Sequence, residues 1–169
     1  MKTSVRTTLV AAAIGAAVVV PGSVLHAGTD VDDQGFVTLL PGHEDWTAYP
    51  GIDGIRIMVV EGNPKKAGPY VIRVKFAPGT MSMPHIHPED RLVTVIKGTW
   101  YTGKGPSFEP WDTEPLPTGS FMKHPAGAAH YDGAKDEEVI VQIAGIGPSG
   151  TIFSKPDLPT SGNGLLPKP

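Results

Sequence analysis

The chain contains no cysteine. This excludes disulfides as a source of stability, and it removes thiolate metal ligands, thiol nucleophiles and lipid attachment at a leader cysteine. A transition metal would have to be held by histidine and carboxylate. Cationic residues are also few: 14 Lys and Arg against 17 Asp and Glu give a formal charge of -3. Without a run of basic residues there is no electrostatic footprint for nucleic acid, and a small-molecule partner is the expectation. Aromatic residues make up only 7%. The apolar run from Leu9 to Val20 is shorter than the roughly 20 residues a membrane-spanning helix needs.

That run follows Lys2 and Arg6 and precedes Pro21 and Gly22, with Leu25-His26-Ala27 as a small-residue cleavage site before Gly28. Residues 1–27 therefore read as a secretory signal peptide, which predicts a periplasmic or secreted protein with no stable membrane insertion after cleavage. The remainder is sized for one domain with a real core. Residues 28–54 have no clear period and are open between a wrap around the domain and an added edge strand. Residues 55–153 form the expected domain. Residues 154–169 are rich in proline and glycine and poor in apolar anchors, the composition of a tail.

The chain has 21 glycines and 18 prolines, set between short segments rich in Val, Ile, Thr, Phe and Tyr. This punctuation predicts an all-β protein. Strands are expected at 55–60, 70–76, 81–87, 91–97, 99–101, 120–123, 130–132 and 137–146. Short antiparallel strands of this kind suit a closed or double-sheet barrel, which removes exposed edges.

Two segments carry the chemistry. In the first, Gly79 is followed by His85-Ile86-His87 and then Gly98; residues two apart on a strand face the same way, so both imidazoles reach one side. In the second, Gly119 is followed by Pro125, Gly127 and His130. Three neutral imidazoles from two pairing segments form a ligand set suited to Fe(II), Mn, Ni, Cu or Zn. The bland alternative is polar side chains at strand ends, bonded only to backbone or water.

These spacings resemble the paired motifs of the cupin superfamily. The first motif reads Gly, five residues, His-x-His, three or four residues, Glu, six residues, Gly. The second reads Gly, five residues, Pro-x-Gly, two residues, His, three residues, Asn. Arg91 stands where the Glu is expected, and Ala134 where the Asn is expected. The resemblance implies a jelly-roll-like β-barrel and one divalent transition metal, Fe(II) foremost, on His85, His87 and His130. It also implies the possibility of a homodimer.

Three placements of Arg91 are open. A bulge at Pro88 turns it outward and brings Glu89 or Asp90 in as the fourth ligand; or the site has three histidines and Arg91 binds a substrate carboxylate or enolate; or Arg91 forms a surface salt bridge with Glu89 or Asp90. His124 reads as a strand-end side chain at the barrel rim, with a base near the metal as its alternative. His43 lies in the uncommitted segment. Val93, Val95, Phe76, Met81, Met83, Trp100 and Phe121 are candidate pocket walls or ordinary core, and the Tyr101 hydroxyl is a candidate for orienting a substrate.

The functional expectation is a metal-dependent, dioxygenase-type oxidoreductase acting on a small anionic or chelating substrate. A non-catalytic module that binds a ligand or metal, and an isomerase or lyase on a carbohydrate or organic acid, are the alternatives. For the exported protein, intact mass should correspond to a chain beginning at Gly28. A mass retaining residues 1–27 would mean an uncleaved anchor.

Overall fold

A computed structural model describes residues 28–154. The proposed signal peptide and positions 155–169 of the proposed tail lie outside the described residues. The strands are β1 (Asp30–Val31), β2 (Val37–Thr38), β3 (Thr47–Ala48), β4 (Ile55–Gly62), β5 (Gly68–Phe76), β6 (His85–Ile86), β7 (Arg91–Lys97), β8 (Thr99–Lys104), β9 (Glu114–Pro117), β10 (Phe121–His124), β11 (His130–Gly133), β12 (Val139–Gly147) and β13 (Ile152–Phe153).

One sheet has the order β10-β7-β12-β5-β4-β3, a second has β13-β6-β11-β8-β9, and β1 and β2 form a separate hairpin. The described pairings are antiparallel. The chain is thus all-β, as its composition predicted, and jelly-roll-like, as the cupin resemblance implies.

Alternation along the long strands builds the core. Ile72 and Val74 on β5, Val93 and Val95 on β7, and Val141 and Ile143 on β12 are buried while their neighbours face out. Register aligns them in rows: Val93 opposes Ile143, which opposes Ile72. Trp100 enters from the second sheet and joins the same apolar cluster. The next row of the large sheet is Arg91, Gly145 and Tyr70. A side chain at Gly145 would collide with the Tyr70 ring, so glycine there lets Tyr70 lie across the sheet towards Arg91.

The first histidine segment departs from the expected strand over 81–87. Met81 bridges to Gly133 while His85 pairs with His130, so the segment spends one residue more than its partner. The extra residue is a bulge around Pro84, which has no N–H to give the ladder. Residues 28–54 both wrap and pair, since β3 adds an edge strand beside β4. The unexpected strand β9 holds two prolines, and an edge position tolerates them.

Replacing Gly145 with alanine would place Cβ 2.6 Å from the Tyr70 hydroxyl, and Tyr70 is buried too well to retreat. The expected cost is about 1–3 kcal/mol of overpacking, read as a lowered urea midpoint. An unchanged midpoint would show that Tyr70 is free to move.

Candidate metal centre

His85 and His130 are register partners on β6 and β11, and His87 lies two residues beyond His85. All three are buried. Their ring centroids stand 4.7 Å (His85–His87), 4.4 Å (His85–His130) and 5.0 Å (His87–His130) apart. Their nearest nitrogens all lie within 4.8 Å of one another.

Each ring is oriented by a backbone carbonyl. His85 Nδ1 donates to Met83 O at 2.7 Å, His87 Nδ1 to Gly150 O at 2.7 Å, and His130 Nδ1 to Ala128 O at 2.9 Å. A carbonyl only accepts, so Nδ1 carries a proton in each ring, and in the neutral form Nε2 is the nitrogen that keeps a lone pair. This is the outer-shell pattern that prepares imidazoles for a metal. The His130 Nε2 atom is buried and has no hydrogen-bond partner among the described residues. Such an orphaned acceptor costs about 1–3 kcal/mol, and a cation would satisfy it. The residues present therefore fit a divalent transition ion.

Protonation follows the same logic. Burial pulls His85 down to about 4, and it pushes His87 far below the ordinary imidazole range, with the Arg91 guanidinium adding to the effect. Both imidazoles are neutral at physiological pH, as metal ligands must be.

Arg91 points into the barrel, only 8% exposed, and lines the same cavity as His85 and His87. Its Nε donates to Glu89 Oε1 at 3.0 Å, and its Nη2 to Ser149 Oγ at 2.5 Å and to Gly150 O at 3.5 Å. Tyr70 Oη donates to the same Glu89 oxygen at 2.8 Å. Burial opposes ionisation of Glu89, but the hydrogen bonds from Ser149, Tyr70 and Arg91 outweigh it and hold the carboxyl below its usual range. The ion pair is internal, and the Pro88 segment does not turn Arg91 out.

Glu89 is accordingly engaged by Arg91 and Tyr70 and is not among the clustered donors. Asp90 is exposed to solvent on one side of Lys123 Nζ, 2.6 Å away, and accepts from Ala126 N at 2.8 Å. Tyr101 lies outside the cavity, its ring beneath Lys135 Nζ at 4.3 Å. His43 is exposed in the loop before β3. Of the candidate walls, Phe76 and Trp100 line the cavity, Val93, Val95 and Met81 are buried, and Phe121 is 62% exposed on the outer face.

Two residues enter that sequence reasoning undervalued. His124 is not at a solvent rim: it pairs with Arg91 across β10 and β7, is buried, and stacks its ring 3.7 Å from that of His130. Its Nε2 is also buried without a partner among the described residues. Asp132 places Oδ2 3.8 Å from His130 Nε2, and His124, His130 and Asp132 form a second cluster of metal-binding donor types. The signal for Asp132 was present in the sequence, because His130-Tyr131-Asp132 repeats the i, i+2 spacing of His85-Ile86-His87. For His124, its place before Pro125 is the only signal in the sequence.

The cavity measures about 50 Å³, with Phe76, Val74, Val141 and Ile143 among its apolar walls. One water needs roughly 10–15 Å³ by this kind of measure, so the space suits an ion with a few waters or a very compact ligand.

Burial also pulls His124 down, to about 3, whereas these imidazoles titrate near 6.5 when unfolded. Between the folded and unfolded values the unfolded chain binds more protons, so stability rises with pH there. The metal-free protein should hold full stability above about pH 6.5 and lose it progressively towards about pH 4. Urea unfolding across that interval checks this; a constant unfolding free energy would contradict it.

The family model of the ChrR cupin-like domain matches residues 34–149. No curated protein sequence matches the chain. Among solved structures the chain is similar to KdgF from Halomonas sp., with 18% identity, covering 64% of this chain and 91% of that one, at a TM-score of 0.50. It is similar to the polyketide cyclase RemF from Streptomyces resistomycificus, with 14% identity, 68% and 80% coverage, and a TM-score of 0.57. It is also similar to the DMSP lyase DddQ from Ruegeria pomeroyi DSS-3, with 16% identity, 67% and 62% coverage, and a TM-score of 0.56. At such identities the likeness carries the fold alone. With its double-sheet barrel, its paired histidine motifs and a family match over most of its length, this chain belongs to the ChrR cupin-like domain family of the cupin superfamily.

Proposed function

We propose that this protein binds one divalent transition metal through His85, His87 and His130 and acts on a compact anionic substrate in the adjoining cavity. The observation that carries the reading is the convergence of three buried imidazoles, each with Nδ1 tied to a carbonyl and Nε2 left for an ion. A bound divalent ion supplies Lewis acidity, polarising a substrate oxygen.

The chain's own residues would do the rest. Arg91, immobilised by Glu89 and Ser149, offers positive charge at the cavity wall for a carboxylate or enolate. The apolar walls limit water. His124, a buried imidazole whose ring packs on that of His130, stands where a substrate proton could be received.

Two reaction classes meet these requirements. A dioxygenase-type oxidoreductase on Fe(II) uses the three-histidine set and the compact cavity. A lyase or isomerase, on Mn, Ni, Zn or Fe(II), additionally uses a base beside the metal, and His124 favours this second class. Recovery from the periplasm or medium is the setting in which such an activity would be sought.

Elemental analysis of the mature protein, purified without chelator, should find near-stoichiometric metal that is absent from a His85→Ala, His87→Ala variant. No metal in the unaltered protein, even after reconstitution, would overturn the metalloenzyme reading and leave a non-catalytic binding module.

A further inference from the structure

The cavity beside the histidines has room for an ion and a few waters, so an organic substrate has to displace part of its wall. Most of that wall is strand, held in the ladders of the two sheets. The wall residues outside strands are Tyr49, Ile52, Ser82, His87 and Thr151. Ser82 is clamped to β11: its N donates to Asp132 O at 2.8 Å, and its Oγ accepts from Asp132 N at 3.1 Å. His87 is fixed through Gly150 O and by Gly127 N, which donates to His87 O at 2.8 Å. Thr151 lies in a segment tied on both sides, since Ser149 N donates to Pro64 O at 2.6 Å and Ser154 N to Pro84 O at 2.8 Å. That leaves Tyr49 and Ile52 as the movable part of the wall.

Both belong to the loop that joins β3 to β4, and this loop has the build of a flap. Its base is closed by Tyr49 N donating to Ile55 O at 2.9 Å, and its turn by Ile52 N donating to Tyr49 O at 3.3 Å, so it can move as a unit. Gly51 and Gly54, at φ 76° and 78°, flank Ile52 and Asp53 and let the backbone rotate at little steric cost. The Ile52 side chain is buried in the apolar cluster, plugging the cavity. Across the wall, Tyr49 Oη shares a 2.9 Å hydrogen bond with Thr151 Oγ1, a residue 102 positions away.

The outer side of the same loop lines a surface groove of about 600 Å³. Tyr49, Ile52 and Ile55 border both the groove and the buried cavity. They form a common wall, and withdrawal of Tyr49 and Ile52 would join the two spaces. Arg56 and Lys75 are balanced in the groove by Asp53 and Glu138, so selection for negative charge is left to Arg91 inside.

We propose that the β3–β4 loop is a gate, with Ile52 as its plug and the Tyr49–Thr151 hydrogen bond as its latch, through which a small organic anion passes from the outer groove to the histidine cluster. The proposal rests on the reading of this cavity as the substrate site. The gate itself needs no metal, and its test therefore uses metal-free protein.

Hydrogen exchange and labelling with diethyl pyrocarbonate at neutral pH, both mapped by peptide mass spectrometry, are compared in the unaltered protein, Tyr49→Phe, Thr151→Val and the double variant. Each single change removes the latch and keeps the side-chain shape. Exchange in the peptide covering the loop, and labelling of His85 and His87, should accelerate by roughly 3- to 10-fold, the effect of one lost hydrogen bond on a local opening. The double variant should match the single ones, because all three lose the same bond. Exposed His43 should label at an unchanged rate, and the amides of β5 and β12 should exchange at an unchanged rate. Unaltered labelling of His85 and His87 in the variants would mean that access runs by another route, and would overturn the proposal. Equal acceleration of the β5 and β12 amides would mean that the histidines are exposed by global unfolding, and would overturn it too. A protein that meets every expectation here but holds no metal on elemental analysis would keep the gate and lose the metal reading.

Discussion

A guanidinium buried beside a histidine cluster is tolerable only with an anion in contact, and the Arg91–Glu89 pair is the constraint around which this end of the barrel is arranged. Removing one partner of a buried pair typically costs about 3–5 kcal/mol, because the other charge is left uncompensated. The neighbours are disposed accordingly. Tyr70 crosses over Gly145 to donate to Glu89, and Ser149 accepts from Arg91. Gly150 O accepts a hydrogen bond from His87 Nδ1 and also lies within reach of Arg91, so one carbonyl links the ion pair to the histidine cluster. Rigidity of the arginine and orientation of the imidazole thus have a common origin.

The remaining imidazoles are governed by burial. Out of water, the charged form of His85, His87 and His124 is disfavoured, which leaves neutral rings whose lone pairs need partners. Backbone carbonyls satisfy the Nδ1 side of three rings and leave Nε2 facing inward. His124 has no such tether among its described contacts, which sets it apart from the three tethered rings. The backbone around each ring therefore sets the three tethered imidazoles apart from His124.

Much of this was legible in the chain. The turn residues and β-branched runs announced an all-β protein, and the strict period of 2 in β7 put Arg91, Val93 and Val95 on one face, with the side that face takes past Pro88 left open. Tyr101 fell on the opposite side because it alternates with the buried Trp100 and Thr102. Phe121 faces outward for the same reason of parity, on a strand whose inward positions are occupied by Met122 and His124. What failed was local reading near proline. The bulge at Pro84 was hidden, and His124 reads as a rim residue only because the cupin motif asks nothing of its position.

The sequence alone determined the candidate donor types, their i, i+2 spacing and the burial parity of the long strands, because these follow from side-chain chemistry and the pleat. It could not determine which charges meet. Glu89 precedes Arg91 by two residues and Asp132 follows His130 by two, yet one carboxylate is spent on the arginine and the other faces the histidines. That division depends on Tyr70, Ser149, Gly150 and Ser82, which are far from these residues in sequence or on different strands, and only the closing of two sheets brings them into reach. Tertiary structure decided the electrostatics because charge interactions fall off with distance through space, not along the chain.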